Sequence, residues 1–564
     1  MIEKRIFPLL KKHYSAVLVI VGMLLARSLL GFVSPVAVRE MLEAVTLPEP
    51  SAGSLGLYAA LFAGSFLLGY LMNWGFNKLY LVFSFRFKVG LSRELYQDLF
   101  KMDYRHFQDK EAGYFVSRIK MLTDQAFSLA ADSMPSTAVS LVTLAVAAAF
   151  IASVNVWLLA LALLLVPLSV LGYRSVNKEL KKRTADYQSS YSDKFKNIFG
   201  VVQNIEAIKQ LANDGFFSSY VVRHVEEMER GSNELSLHAR NVSMGMLFMT
   251  DLLRNGILLG SIYLLFLKRI SFPDVMFLNM IMGIYFGALS GLTGLSLGLR
   301  DVRASFDFLE QELRGKAEKG GSEELEGVRA LSFRMDGFSY NGKNDVIKGF
   351  SLDLKPGDSV AIVGRSGCGK STLGKLLTRL YGADGVSLNG KPAARYSLES
   401  LRRKIYHVSQ APQLFPGTIA ENITAGLSDP DKVRYGAVVA LPFMRDITEG
   451  HSGLDFLLKD NGGNLSGGQR QRVTLARMLM HDPDVVVLDE STSALDGAAE
   501  ESLLASVREL CRGKILIYVS HRLSTVKQAD RIVVMRDGAV SGTGTFEELK
   551  DADAEFKELF AAQM

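Results

Sequence analysis

The chain contains two glycine-rich stretches whose residue types suit phosphate binding. The first, GRSGCGKST, has the spacing Gly-x-x-x-x-Gly-Lys-Ser between an apolar run and a helical pattern. Glycines at this spacing let consecutive backbone N–H groups face phosphate oxygens, and the start of the following helix adds positive partial charge. We expect Lys370 to reach the β- and γ-phosphates of a nucleoside triphosphate and Ser371 to bind Mg²⁺. The loop residues predicted to bind the nucleotide are Gly364, Arg365, Ser366, Gly367, Cys368, Gly369, Lys370, Ser371 and Thr372.

Two adjacent carboxylates follow another apolar run, Val485–Leu488. Such a run is typical of a buried parallel strand, and ligand chemistry in parallel sheets takes place at the carboxyl ends of the strands. Asp489 is therefore predicted to hold Mg²⁺ through water, and Glu490 to polarise an attacking water molecule. Together with the glycine-rich loop, this pair predicts hydrolysis of a nucleoside triphosphate.

The second glycine-rich stretch, LSGGQRQR, runs from Leu465 to Arg472. Its serine and glycines would open a helix whose positive end suits a phosphate. The first loop is already expected to surround the triphosphate bound by its own chain. The residues of the second loop therefore do not by themselves say which phosphate it binds.

The composition predicts a membrane half followed by a soluble half. The chain has 564 residues, 48% of them hydrophobic, and the apolar residues concentrate in the first 300 positions. A net charge of +5 without a basic and aromatic stripe argues against nucleic acid as a partner. The two cysteines, Cys368 and Cys511, do not make a disulfide framework.

Six segments are apolar and long enough to cross a bilayer. They lie near residues 14–38, 55–85, 135–154, 156–173, 244–267 and 272–299. An amphipathic elbow helix precedes them, and Lys and Arg cluster before the first span and after the second and fourth. By the positive-inside rule both termini are cytoplasmic, and we expect a multi-pass protein of a bacterial inner or plasma membrane that also contacts lipids.

The expected fold is an all-α six-helix transmembrane domain with long cytoplasmic helical extensions, followed by an α/β P-loop ATPase domain. The transmembrane domain is predicted over residues 1–314, a glycine-rich polar linker over 315–327, and the nucleotide-binding domain over 328–564. Apolar stripes that include Leu91 and Leu95 on one extension, and Tyr191 and Phe195 on the other, predict packed helices.

Several polar residues inside the spans are costly in lipid unless they face protein or water. As a set they predict a polar cavity: Arg27, Asn73, Asn77, Asp251, Arg254, Asn255 and Asn279. Asp251 and Arg254 are three residues apart, and their spacing favours a neutralising ion pair over contact with a ligand.

The motifs of the second half resemble those of ATP-binding cassette (ABC) transporters in order and spacing. LSGGQ at Leu465–Gln469, SALD at Ser493–Asp496 and VSHR with His521 accompany the phosphate loop and the carboxylate pair. Six spans with two long cytoplasmic connections resemble an exporter-type half-transporter. The resemblance covers nearly the whole chain and implies ATP and Mg²⁺ as the cofactors.

The resemblance also implies a role for individual residues. Tyr340 would stack on adenine, Gln410 would sense Mg²⁺ and the γ-phosphate, and His521 would bond the γ-phosphate, so that the catalytic set is Glu490, His521 and Lys370. Asp496 would lie in the loop between two ATP sites. The signature residues Leu465, Ser466, Gly467, Gly468 and Gln469 would cover the ATP bound to a second chain.

Two cytoplasmic turns, Phe107–Gly113 and Gln210–Gly215, would be the coupling helices that press on the nucleotide-binding domains. One chain supplies six spans and one cassette, so the resemblance implies a second half-transporter as partner. No essential ATPase position is degenerate, which favours a homodimer over a heterodimer.

The function that follows is primary active transport by alternating access. Export of lipids, amphipathic drugs or peptides is the leading expectation, and import of a metal chelate by the same fold is the alternative. A soluble cassette ATPase of DNA repair or translation is disfavoured by the six spans. The sequence leaves the substrate open.

Overall fold

The computed structural model describes residues 14–46, 52–108, 112–309, 311–312, 315–382, 384–450, 453–491 and 497–561. The predicted elbow helix, residues 109–111 of the first coupling turn, and Asp496 lie outside these ranges. Contacts divide the chain into two units. The first contains Met1–Phe100 and Ala112–Gly315, and the second contains Lys101–Glu111 and Lys316–Met564.

The first unit is built from long helices. Its helices are α1 (Tyr14–Leu30), α2 (Val33–Thr46), α3 (Ala52–Phe100), α5 (Ala112–Ser128), α6 (Met134–Val154), α7 (Val156–Gln203), α8 (Ile205–Leu211), α9 (Asp214–Phe266) and α10 (Phe272–Leu309), with a π-helical turn at Leu129–Ser133 between α5 and α6. The short helix α4 (Tyr104–Gln108) belongs to the second unit.

The first predicted span, 14–38, is divided between two helices because the chain turns at Gly31 and Phe32. Pro35 follows the turn; it has no N–H to donate, and its ring would clash with the carbonyl of Gly31 in a continuous helix. At the hairpin between α6 and α7, the side chain of Asn155 accepts a hydrogen bond from the backbone of Trp157 and so caps α7.

Four helical stretches of the described chain are long and apolar enough to cross a membrane: Tyr14–Thr46, Ala52–Phe100, Gly113–Val154 and Phe272–Leu289. The predicted span 156–173 falls within α7, and the predicted span 244–267 falls within α9 except for Leu267. Neither is among these four stretches, and part of their side chains lies outside the described residues.

The two predicted apolar stripes differ in their surroundings. Leu91 and Leu95 of α3 are buried. Tyr191, Phe195 and Val202 of α7 are exposed in the single chain, although α7 packs along α9. The second stripe is therefore an apolar surface that one chain leaves uncovered.

The second unit contains a six-stranded sheet and a smaller antiparallel sheet. Its strands are β1 (Leu331–Met335), β2 (Phe350–Leu354), β3 (Ser359–Gly364), β4 (Val386–Leu388), β5 (Lys391–Pro392), β6 (Ile405–Val408), β7 (Gly417–Thr418), β8 (Leu457–Leu458), β9 (Val485–Asp489), β10 (Ile515–Val519), β11 (Arg531–Arg536) and β12 (Ala539–Gly544). The large sheet has the order β12-β11-β3-β10-β9-β6, and all its pairs are parallel except β11 with β12.

Helices cover this sheet on both faces, as expected because its strands β3, β9 and β10 are buried along their whole length. They are α11 (Lys370–Leu377), α12 (Leu398–Lys404), α13 (Ile419–Ile423), α14 (Lys432–Val439), α15 (Arg445–Thr448), α16 (Gly467–His481), α17 (Gly497–Leu510), α18 (Leu523–Val526), α19 (Phe546–Ala552) and α20 (Ala554–Phe560).

The segment predicted as a linker, 315–327, is held to the second unit along most of its length. The Glu318 carboxylate accepts two hydrogen bonds from Arg402, at 2.7 and 2.9 Å. Glu323 pairs with Lys391 at 2.7 Å and with Arg395 at 2.8 Å. Composition did not reveal these contacts because every partner lies far away in the sequence.

Candidate functional site

The parallel sheet brings three of the predicted motifs to one edge. The phosphate loop follows β3, the two carboxylates end β9, and Gln410 lies two residues beyond β6. The carboxyl ends of these strands point the same way because β3, β10, β9 and β6 pair in parallel. This edge is where such folds bind nucleotides.

The phosphate loop has the geometry of an anion cradle. Lys370 is 8% exposed, and its Nζ donates hydrogen bonds to the carbonyl oxygens of Gly364 at 2.7 Å and Arg365 at 2.9 Å. Gly369 has a φ of 103°, and a Cβ there would lie 2.9 Å from the carbonyl oxygen of Val346. Only glycine fits at this close approach, so the loop keeps the tight turn that a phosphate cradle needs.

Arg365 was predicted to bind the nucleotide, but its side chain pairs with two glutamates of the C-terminal helix. Its guanidinium lies 2.7 Å from Glu558 and 3.5 Å from Glu555, both on α20. Arg365 therefore contributes its backbone to the loop, and its side chain fastens the C-terminal helix beside it. These partners lie far from Arg365 in the sequence, and no motif indicated them.

The Glu490 carboxylate is held between two of the predicted residues. Gln410 Nε2 donates to Glu490 Oε2 at 2.6 Å, and His521 Nδ1 lies 3.0 Å from Glu490 Oε1. The backbone of Glu490 has a φ of 47°, a left-handed conformation that costs energy for a residue with a side chain. The two side-chain contacts set the orientation of the Glu490 carboxylate.

Asp489 is buried, 3% exposed, and its Oδ1 has no hydrogen-bond partner among the described residues. A buried carboxylate oxygen without a donor is costly unless a cation or water occupies its vicinity. The oxygen donors Asp489 and Ser371 suit Mg²⁺, which prefers hard oxygen ligands and keeps several waters.

His407 lies directly behind Asp489 and was missed in the sequence. Its Nε2 is 3.6 Å from Asp489 Oδ2, and both side chains are buried. His407 is on β6, whose neighbour in the sheet is β9. The only sequence signal was a histidine three residues before Gln410 in an otherwise apolar strand.

The loop that carries His521 is clamped by Glu500, a second residue that sequence reasoning missed. Glu500 on α17 is 1% exposed and accepts hydrogen bonds from Arg522 at 2.8 Å and Thr525 at 2.9 Å. A buried carboxylate with charged and neutral donors fixes the backbone around it. These hydrogen bonds join the loop of His521 to α17, which begins at Gly497.

The signature stretch is the beginning of α16. Ser466 Oγ accepts from the backbone N–H of Gln469 at 3.1 Å, and Gln469 Oε1 accepts from the backbone N–H of Ser466 at 3.0 Å. This capping box leaves the hydroxyl proton of Ser466 available to donate, because the serine oxygen acts only as acceptor in it. Leu465 is buried beneath the turn, while Gly467 and Gly468 form its first helical positions.

Tyr340, predicted to stack on adenine, lies close to the helix of the phosphate loop. Its hydroxyl is 3.0 Å from Thr372 Oγ1, and 38% of the residue is exposed. One ring edge meets Tyr381, with the ring centroids 4.9 Å apart. Phe338 meets the same ring with the centroids 5.1 Å apart, and Lys375 Nζ lies over the ring, 5.9 Å from its centroid. The Tyr340 ring is thus partly exposed beside the loop.

In the first unit, two of the predicted polar residues line a cavity of 570 Å³ between α1, α2, α3 and α10. Arg27 Nη1 donates to Asn73 Oδ1 at 3.1 Å. Ser34 and Ser65 add hydroxyl groups, and the remaining lining is mostly apolar, including Phe66 and Ile284. A second cavity of 370 Å³ shares Arg27 and Ile284 and adds the hydroxyl groups of α6.

The other predicted cavity residues are placed elsewhere. Arg254 Nη2 lies 3.7 Å from Asp251 Oδ1, which is the ion pair that the spacing indicated. Asn77, Asn255 and Asn279 are exposed and are not part of either cavity lining. The structure thus gathers Arg27 with Asn73 and leaves the remaining five outside both cavity linings: Asn77 on α3, Asp251, Arg254 and Asn255 on α9, and Asn279 on α10.

Comparison with known proteins gives the family. Residues 15–289 match the family model described as ABC transporter transmembrane region, and residues 347–493 match the one described as ABC transporter. A protein of Hahella chejuensis named ATP-dependent lipid A-core flippase is 30% identical over 566 residues, covering 93% of this chain and 91% of the relative. A protein of the same name from Alkalilimnicola ehrlichii is 40% identical over 252 residues, 43% of this chain and 42% of its own.

The solved structure of a bacterial Atm1-family ABC exporter with ATP bound has a TM-score of 0.88 at 23% identity, covering 98% of each chain. It shares the helical transmembrane region and the α/β nucleotide-binding domain described above. This chain therefore belongs to the ABC transporter family, has the fold of an ABC exporter, and is an ATPase whose activity is coupled to transport across a membrane.

Proposed function

We propose that this chain is one half of a homodimeric exporter that uses ATP to move a lipid from one leaflet of the membrane to the other. The observation that carries the proposal is the cavity around Arg27, which combines one charged and several hydroxyl side chains with an apolar wall. A lipid has the matching chemistry, a polar headgroup on apolar chains. The relatives of similar length are named as lipid A-core flippases.

Hydrolysis is assigned to the sheet edge of the second unit. Glu490, held by Gln410 and His521, accepts a proton from the attacking water, while Lys370 and the N–H groups of the loop bind the phosphates. Mg²⁺ held by Ser371 and Asp489 would supply positive charge to the phosphate oxygens. The contacts with Gln410 and His521 orient the carboxylate for this role.

Two features of the single chain support a second copy as its partner. The signature helix α16 begins with N–H groups and a serine hydroxyl suited to phosphate, and the proposal is that they face the ATP of the partner. The exposed apolar stripe of Tyr191, Phe195 and Val202 would be covered by the second chain. Both termini and the ATPase domain lie on the cytoplasmic side in this arrangement.

The proposed activity is tested with lipid A as the probe. Purified full-length protein is reconstituted in liposomes that contain lipid A, and the lipid A accessible on the outer leaflet is measured before and after ATP addition. We expect ATP-dependent movement toward the leaflet opposite the ATPase domain, together with stimulated hydrolysis. ATP hydrolysis without movement of lipid A would reject lipid A export while leaving the ATPase assignment intact.

Replacement of Arg27 by glutamine should reduce stimulation by lipid A. A guanidinium in the membrane is energetically costly and persists only where it has a partner. Because the variant would lose the charge-assisted hydrogen bonds to a lipid headgroup, its stimulation should fall roughly fivefold or more. The measurement is ATP hydrolysis against lipid A concentration in the same liposomes.

The matched control for this variant is Arg254→Gln, because Arg254 is also charged but pairs with Asp251 outside the cavity. It should keep the stimulation. Equal losses in both variants would assign the effect to general membrane charge and contradict the headgroup site.

Replacement of Glu490 by glutamine should nearly abolish hydrolysis, by roughly a hundredfold or more, because the amide accepts no proton from water. Binding of ATP, measured by calorimetry, should persist because the phosphate loop is unchanged. Glu509→Gln, an exposed carboxylate on α17, is the control and should hydrolyse ATP normally. Near-normal turnover of Glu490→Gln would reassign the base.

The signature proposal is tested by mixing two defective chains. Ser466→Arg should block hydrolysis by placing a bulky cation at the start of α16, and Lys370→Ala should block it by removing a phosphate contact. Co-expressed chains with different tags form mixed dimers, which are purified on both tags.

If each ATP is shared, one of the two sites in the mixed dimer carries both defects and the other carries none. We expect recovery to roughly a tenth of wild-type hydrolysis or more. If the signature acts on its own chain, each site carries one defect and the mixed dimer stays inactive, which would overturn the shared site.

A further inference from the structure

A group of aromatic side chains extends from the predicted adenine residue to the segment that continues from α3. We call Tyr340, Tyr381, Tyr104 and Gln108 the tyrosine chain. The Tyr340 and Tyr381 rings meet edge to face at 4.9 Å, and the Tyr381 and Tyr104 rings do so at 5.8 Å. Such geometry lets each ring constrain the orientation of the next.

Hydrogen bonds close the far end of the tyrosine chain. The Tyr381 hydroxyl donates to Gln108 Oε1 at 2.7 Å, and Gln108 Nε2 donates to the Tyr104 hydroxyl at 2.8 Å. Arg105 adds its guanidinium 5.3 Å from the Tyr381 ring centroid. Burial, helped by the neighbouring Tyr340, raises the pKa of Tyr381, so its hydroxyl remains a donor at neutral pH.

At the near end, Tyr340 is anchored through its hydroxyl and its ring is partly exposed. Its hydroxyl is 3.0 Å from Thr372, which belongs to the phosphate loop and α11. Tyr381, by contrast, is only 7% exposed and is packed between Tyr340, Phe338 and Tyr104. A closely packed ring transmits displacement because its surroundings leave it no room to absorb the change.

The far end is attached to the second unit by its backbone as well. Asp103 N–H donates to the carbonyl of Lys316 at 2.7 Å, and Met102 forms a β-bridge with Ala317. These residues follow Phe100, the last residue of α3, without interruption. The segment Lys101–Gln108 is therefore joined by the chain itself to the end of a long helix of the first unit.

We infer that Tyr381 is a positioning residue that reports the presence of the nucleotide base, through its ring and its bond to Gln108, to the segment Lys101–Gln108. The inference rests on the proposed role of Tyr340 as the residue that stacks on adenine. A base stacked on the exposed part of the Tyr340 ring fixes that ring against Tyr381, which in turn holds Gln108 and Tyr104. The inference assigns the signal to the base, because the base would contact the Tyr340 ring itself, whereas Lys370 and the loop N–H groups would hold the phosphates.

The test is backbone amide hydrogen exchange of full-length protein in nanodiscs, followed in peptides from Lys101–Gln108. The probes are the non-hydrolysable analogue AMP-PNP and inorganic tripolyphosphate, each with Mg²⁺ and at a concentration shown by calorimetry to saturate the variant studied. We expect AMP-PNP to slow exchange in this segment and tripolyphosphate, which has no base, to leave it near the rate without ligand.

Tyr381→Phe keeps the ring and removes the bond to Gln108, and it should lose roughly half of the AMP-PNP protection or more, since these amides open locally when the bond is absent. Gln108→Leu should lose a similar amount, and the double variant should lose no more than either single one. Tyr518→Phe is the matched control, since its buried hydroxyl has no hydrogen-bond partner among the described residues. It should retain the full protection.

Two results would overturn the inference: unchanged protection in Tyr381→Phe, or equal protection by tripolyphosphate and AMP-PNP. The role of Tyr340 is checked separately, because Tyr340→Leu should weaken AMP-PNP binding and leave tripolyphosphate binding unchanged. If Tyr340→Leu weakens binding as expected while Tyr381→Phe keeps its protection, the base contact stands and the tyrosine chain does not. If Tyr340→Leu binds both probes normally, the base contact itself fails.

Discussion

The placement of the Glu490 carboxylate depends on two hydrogen-bonding neighbours from different strands. Gln410 comes from the loop after β6 and His521 from the loop after β10, while Glu490 itself ends β9 in a left-handed conformation. Because the strands are parallel, all three loops emerge at one edge. The unfavourable backbone of Glu490 persists because the sheet on one side and these two side chains on the other determine its position. Movement of either loop would therefore change the orientation of the carboxylate.

Support for this edge comes from buried polar groups deeper in the unit. Glu500 ties the His521 loop to α17 through Arg522 and Thr525. Arg477 of α16 donates to the carbonyls of Gln413 and Asn422, at 2.9 and 2.7 Å, and so ties the chain after Gln410 to the helix that begins with the signature. Breaking a buried charged network of this kind is costly, because the remaining partner keeps its charge without compensation. Arg477 thus connects the chain after Gln410 to the signature helix α16, and Glu500 connects the His521 loop to α17, within the same unit.

The first unit follows a different physical rule, because its helices face lipid. Most of its long helices are apolar, so a charged side chain persists there only where it has a partner or a polar cavity. Arg254 has Asp251 as its partner. Arg27 has Asn73 and the hydroxyl groups of two adjoining cavities. The two arginines look alike in the sequence, and their surroundings give them different roles in the proposed transport.

The sequence by itself determined the helical membrane region, the parallel sheet and the identity of the phosphate loop, because these depend on local composition, periodicity and spacing. It also indicated the pairing of Asp251 with Arg254, which are three residues apart on one helix. Only the tertiary structure decided that Arg365 turns toward α20, that Glu500 and His407 support the catalytic edge, that residues 316–327 are fastened to the second unit, and that Tyr381 joins Tyr340 to Gln108. Each of these contacts links residues far apart in the chain, and such pairs leave no period or motif in a single sequence. They arise only when strand order and helix packing bring the partners within the range of a hydrogen bond or a ring contact.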